Sequence, residues 1–144
     1  MAGSPSRGEI WLADLNPTRG HEQTGRRPVL IVSTDTYNRG PSGLVFVLPL
    51  TRTNRRIPVH VAVRPPEGGL RDTSYILTDA IRSISRERLG ESAWGRVSTE
   101  TMRQVEDILR VLMELLRSLM RIFEQSSPPS ALSAPSPACP VMKE

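Results

Sequence analysis

A mainly β domain ending in one C-terminal helix is the fold that the 144-residue sequence predicts. Three patterns carry this expectation. The first two-thirds of the chain consist of short apolar runs broken at close intervals by Gly, Pro and Asn, which suits a strongly bent sheet or small barrel. After Ser98 the apolar period changes to three and four, the signature of an amphipathic helix. Length allows one domain with at most a short appendage. Because only 4% of residues are aromatic, aliphatic side chains must fill the core.

Taken in order, the predicted strands are Glu9–Leu15, Pro28–Ser33, Leu44–Leu50, Val59–Val63 and Ser74–Leu77, with a sixth over Glu91–Val97. Turn-rich stretches starting at Asn16-Pro17, Asn38-Arg39-Gly40 and Pro65-Pro66 separate them, and Gly68-Gly69 is a structural turn signal. In the second strand Val29 and Ile31 face one way while Leu30 and Val32 face the other. That strand is expected to be buried on both sides. Ser98 is the expected N-cap of the helix, with Glu100 near the positive end of its dipole. Met102, Val105, Leu109, Leu112, Leu116, Leu119 and Phe123 form one apolar stripe that covers the sheet or pairs with a second copy. Ser126–Pro140 holds five prolines and no charge, so a disordered tail is expected over residues 125–144, and a flexible N-terminus over residues 1–6. The domain proper spans residues 7–124.

The composition excludes several classes. The most apolar stretch, Ile108–Phe123, is too short and too charged to cross a bilayer. Cys139 is alone, so no internal disulfide forms, and Met1–Arg7 does not read as a signal peptide; the expected location is the cytoplasm. His21 and His60 lie far apart, and no zinc or phosphate-loop motif appears, so neither a metal nor a cofactor is expected. A net charge of +4, carried almost entirely by Arg (Lys143 is the single Lys), favours a polyanionic partner. Codon usage in a GC-rich genome would also produce the preference for Arg.

What remains is a set of polar groups at strand ends. Glu22, Gln23, Arg26 and Arg27 enter the second strand, while Thr51, Arg52, Thr53, Asn54, Arg55 and Arg56 leave the third. If the sheet sets these ends side by side, they offer Arg for phosphate, hydroxyl and amide groups for oxyanions or base edges, and one carboxylate. The plainer reading is that they are solvated loop charges. Trp11 and Trp94 fit core or interface packing better than base stacking, and His60 reads as structural.

The strings R-G-E-I-W-L-A-D-L-N-P-T-R-G-H-E-Q-T-G-R-R-P-V-L-I-V-S (residues 7–33), V-L-P-L-T (47–51) and D-A-I-R-S-I-S-R-E-R-L (79–89) resemble the MazF/PemK family of ribonuclease toxins in order and spacing. The match runs from about Arg7 to about Leu116, and Gly20–Pro28 is its most specific part. The resemblance implies a small SH3-like barrel with a C-terminal helix, forming a homodimer whose RNA groove crosses the subunit interface. It places the key arginine at Arg27 and the key threonine at Thr51. Glu22 and Gln23 fall where the groove is lined, and Asp79 and Arg82 at its far side. It further implies metal-independent cleavage of single-stranded RNA at short motifs, leaving 2′,3′-cyclic phosphate and 5′-hydroxyl ends. The partner would be a cognate antitoxin whose acidic, partly disordered segment fills the groove. Two departures stand out: Ala80 replaces the usual Gln, removing a base-edge contact, and the chain continues past the usual end near Leu115.

In that chemistry the 2′-hydroxyl attacks the adjacent phosphorus while the protein aligns the two and stabilises the added charge. Arg27 suits the last task and Thr51 can donate to the same oxygens. Glu22 and His21 are the candidates for the base, or else contact RNA. Arg26, Arg52, Arg55 and Arg56 are assigned to the RNA, with Tyr37 and Asn38 as further candidates. A rival reading is a toxin of the same architecture that binds and inhibits DNA gyrase, since fold alone does not fix function.

Overall fold

The computed structural model describes residues 3–115. Seven strands form one bent antiparallel sheet in the order β4-β5-β3-β2-β1-β7, with β6 added to β3. They are β1 (Glu9–Asp14), β2 (Arg26–Ile31), β3 (Leu44–Thr51), β4 (Val61–Val63), β5 (Ser74–Ile76), β6 (Arg82–Ser85) and β7 (Leu89–Arg96). Two helices complete the fold: the short α1 (Asp35–Asn38) and α2 (Thr99–Met113). The sheet curls as expected but does not close into a hydrogen-bonded barrel, because its terminal strands β4 and β7 share no ladder.

Alternation along the central strands produces two cores, one on each face. Ile10, Leu30, Leu48 and Leu50 point to one and join Val61, Ile76, Val97 and Val105 of α2. Trp11, Ala13, Val29, Ile31, Val45 and Val47 point to the other, together with Ile84 and Leu89. Strand β2 is therefore dry on both sides, as its unbroken apolar run predicts. Strand β3 pairs with β2 along one edge and changes neighbour along the other, from β6 at Leu44–Val47 to β5 at Leu50–Thr51. Pro49 falls in the gap between those two ladders, where its missing N–H is not needed and its carbonyl accepts from Leu77 N–H at 2.9 Å.

The seam beside β7 is sealed by glycines. A Cβ on Gly69 would lie 2.1 Å from the Trp94 carbonyl oxygen, and one on Gly95 would lie 2.6 Å from the Gly68 carbonyl carbon. Gly69 also takes φ 74°, where only glycine is unstrained. The same Glu67–Gly69 turn caps α2. Ser98 N–H donates to Glu67 Oε2 at 2.9 Å, the Thr101 hydroxyl donates to the same oxygen, and Thr101 N–H donates to the Ser98 hydroxyl at 3.1 Å. Burial alone would raise the Glu67 carboxyl, but these bonds from Thr101 and Ser98 outweigh it and hold the group below the ordinary carboxylate range. Ser98 is thus the N-cap the sequence indicates.

Several expectations need correction. Residues 1–6 are not free throughout, since Pro5 is buried and Ser6 N–H is held by Glu9 Oε1 at 2.8 Å. Helix α2 ends at Met113, with Glu114 at φ 55°. Its Val105 is buried, and Met102 and Leu109 pack on the core, whereas Leu112 is exposed. Leu116, Leu119, Phe123 and the Pro/Ser tail lie outside the described residues. Strand β6 and helix α1 have no counterpart in the sequence reading: in R-S-I-S only Ile84 is buried, and α1 is a single turn.

Candidate active site

The two strand ends named above meet. Arg27 from the start of β2 and Thr51 from the end of β3 line one cleft of about 860 Å³, together with Arg26 and Arg52. Position alone explains this: β2 and β3 run antiparallel with Val29 opposite Pro49, so the beginning of one lies beside the end of the other. The Arg27 side chain is fixed from two directions. Its Nε donates to the Thr24 carbonyl at 3.0 Å and its Nη1 to the Leu50 carbonyl at 3.2 Å. Both N–H groups of Nη2 have no partner among the described residues. Thr51 Oγ1 accepts from Thr53 N–H at 3.2 Å, which leaves its own proton to donate.

Positive charge is in excess here, with Asp72 the one acidic residue lining the cleft. Partial burial, and then the neighbouring Arg55 cation, push the Arg27 guanidinium below its ordinary value. An anion placed between the two would relieve that repulsion. Arg26, Arg27, Arg55 and Arg56 form no ion pair among the described residues, and Arg52 has one exposed contact, to Asp72 at 3.5 Å. Arg56 is exposed at φ 56°, its N–H held by Asn54 Oδ1 at 2.9 Å.

The loop before β2 carries His21, Glu22 and Gln23. Asn16 organises it by accepting from the Thr24 hydroxyl and from Gly25 N–H. His21 and Glu22 are exposed and do not line the cleft; the Glu22 carboxylate accepts Arg19 N–H at 2.7 Å. Gln23 is half-buried on the same loop. Arg82 reaches the root of this loop, donating to the Leu15 carbonyl at 3.4 Å. Asp79 is half-exposed and bonded through Oδ1 to His60 Nε2 at 3.0 Å, while His60 Nδ1 is buried without a partner among the described residues. His60 is therefore a tether between the basic loop after β3 and the segment leading into β6, in keeping with a structural role.

Asn38 is a correction. It is fully buried, with its amide donating to the Ser33 carbonyl and its oxygen accepting the Ser33 hydroxyl, so an RNA contact would require unfolding α1. Trp11 is likewise core. Asp72 and Trp94 also line the cleft, and no sequence motif marks either as part of it. Among the described residues no three His, Cys, Asp or Glu gather as a metal site, and no helix is long and apolar enough to cross a membrane.

Fold and cleft together define a small bent-sheet protein with a cationic, hydroxyl-edged cleft. Residues 6–113 match the family described as the PemK-like, MazF-like toxin of type II toxin–antitoxin systems, and the chain belongs to that family. It is 32% identical over 111 residues to endoribonuclease EndoA of Bacillus subtilis, covering 76% of this chain and 95% of that one. Among solved structures it is similar to MazF of Deinococcus radiodurans, with a TM-score of 0.70 and 29% identity over 78% of this chain and 98% of the other. A mycobacterial endoribonuclease in complex with its cognate antitoxin gives a TM-score of 0.62 and 28% identity over 78% of this chain and 95% of that one.

Proposed function

We propose that this chain is the toxin of a type II toxin–antitoxin pair and cuts single-stranded RNA without a metal ion. The observation that carries the reading is that Arg27 and Thr51, remote in sequence, line one cleft. The 2′-oxygen attacks the neighbouring phosphorus in line, the bond from phosphorus to the 5′-oxygen breaks, and 2′,3′-cyclic phosphate and 5′-hydroxyl ends result. Arg27 offers its free Nη2 donors to the non-bridging oxygens, where negative charge grows, and Thr51 donates a hydrogen bond from its hydroxyl to the same oxygens. The proton released by the 2′-hydroxyl goes to Glu22 or His21 on the loop before β2, and the departing 5′-oxygen takes a proton from water. Arg26, Arg52, Arg55 and Arg56 hold flanking phosphates, and Gln23, Asp79 and Arg82 act at the groove's margins.

Single-strand preference follows from physics, because a duplex hides the base edges that a cleft of this size could read. The proposed site of action is the cytoplasm, as a homodimer. The proposed inhibitor is an antitoxin whose acidic segment fills the same cationic cleft; a relative solved with its antitoxin and endoribonuclease EndoA support this reading.

The test is incubation of the purified protein with a long single-stranded RNA in EDTA, followed by end mapping. Discrete cuts with 5′-hydroxyl ends are expected. Intact RNA accompanied by inhibited DNA gyrase would replace this reading with the gyrase-binding one.

A further inference from the structure

We propose that Trp94 is the platform on which a nucleobase next to the scissile phosphate stacks. This rests on the nuclease reading and adds to it the residue that holds a base. The first observation is a bulge. Strand β7 pairs with β1 through Gly95 opposite Ile10 and Ala93 opposite Trp11, which leaves Trp94 as an extra residue with no partner on β1. Bulges of this kind redirect a side chain, and they recur beside functional sites. Ala93 keeps its place on the second core and Gly95 packs against Gly68, so the side chain released at this step of the ladder is the indole.

The second observation is exposure. Trp94 is 45% exposed, whereas Trp11, its neighbour across the ladder, is 2% exposed and bonded through Nε1 to Glu9. The indole is not loosely held at its root, because Gly69 lies directly under the Trp94 carbonyl. A rigidly based, uncovered indole loses hydrophobic free energy unless something flat covers it. The third observation is the company it keeps. Trp94 lines the same cleft as Arg27 and Thr51, with Leu12 and Pro28 as an apolar strip. A nucleotide has one anionic part and one flat apolar part, and this cleft offers a surface for each. Stacking on tryptophan is tolerant of base identity, so Trp94 supplies grip and leaves the choice of motif to other groups.

The experiment begins by mapping a cut site with the wild-type protein. A short oligonucleotide spanning it, with 2′-deoxyribose at the attacked nucleotide, then binds without being cleaved. Its addition should quench the emission of exposed Trp94, and Trp94→Phe should lose that response while buried Trp11 still emits. On cleavable RNA, Trp94→Ala should raise KM on the order of tenfold to a hundredfold with little change in kcat, and Trp94→Phe should recover most of the loss. Abasic substitution at one position beside the cut should weaken the wild type but cost Trp94→Ala nothing further. An unchanged KM in Trp94→Ala, or equal sensitivity to every abasic site in both proteins, would overturn the proposal. So would a defect that vanishes at high protein concentration, because Trp94 would then be a contact between two copies of this chain. A wild-type protein that cuts no RNA defeats the nuclease reading itself, whereas normal cutting with an indifferent Trp94→Ala defeats this inference alone.

Discussion

The arginines around α2 and those around the cleft belong to one protein, yet they are treated in different ways. On the helix side Arg7 reaches Glu106, Arg103 reaches Glu100 and Arg110 reaches Asp107. At the cleft Arg27 feels the Arg55 cation, Arg26 has no carboxylate partner among the described residues, and Arg52 has one exposed contact to Asp72. The first group is neutralised locally and adds little beyond holding the N-terminal segment and the helix surface, since exposed pairs are worth about 0–1 kcal/mol. In the second group the Arg55 cation opposes the charge on Arg27, and an anion bound beside them would relieve that repulsion. Composition does not distinguish the two groups; the carboxylates placed within reach of each do.

That contrast can be broken at either end. Arg27→Ala should lower kcat at least about 100-fold, the scale seen when one oxyanion donor is removed, with the fold unchanged by circular dichroism. Near-wild-type cleavage would move the chemistry elsewhere. Gly69→Ala attacks the sealed seam instead: with φ 74° and the Trp94 carbonyl in the way, it should cost about 2–3 kcal/mol in chemical denaturation. An unchanged denaturation midpoint would show that the seam yields. Thr51→Ala should lose less than Arg27→Ala, about tenfold in rate, and Thr51→Ser should restore most of it; failure of serine to rescue would reduce the hydroxyl to packing.

The smallest expected effect is pH-dependent. Because the Glu67 carboxyl titrates lower in the folded chain than unfolded, its contribution is present above the unfolded value near 4.5 and fades as pH falls through the depressed folded one. Glu67→Gln should therefore destabilise the protein by at most about 1 kcal/mol at pH 7. The two proteins should draw together in urea titrations as pH falls below 4.5 and through the depressed folded value. A constant difference across that range would show that shape, not charge, carries the cap.

What the sequence made legible was what depends on local rules. Two-sided burial of β2, the Ser98 cap, the Gly68-Gly69 turn and the change of period at α2 all follow from neighbours in the chain. Arg27 and Thr51 were recognisable as a pair only through family resemblance, because residue order does not say which strand ends adjoin. Strand β6 is invisible in R-S-I-S, since β3 recruits it through backbone bonds and a single buried isoleucine. Asn38 reads as a loop polar group and is in fact an internal brace for Ser33. The exposure of Trp94 depends on a one-residue slip between β1 and β7 that no side-chain pattern encodes.

The double-sided environment of β3 constrains how the family's chemistry can change. Inserting or deleting one residue ahead of Thr51 would exchange the sets of aliphatic groups facing the two cores, so Thr51 cannot drift without dismantling both. The loops on either side, Asn16–Gly25 and Arg52–His60, carry no such obligation. Their sequences can change while Arg27 and Thr51 stay locked to the scaffold.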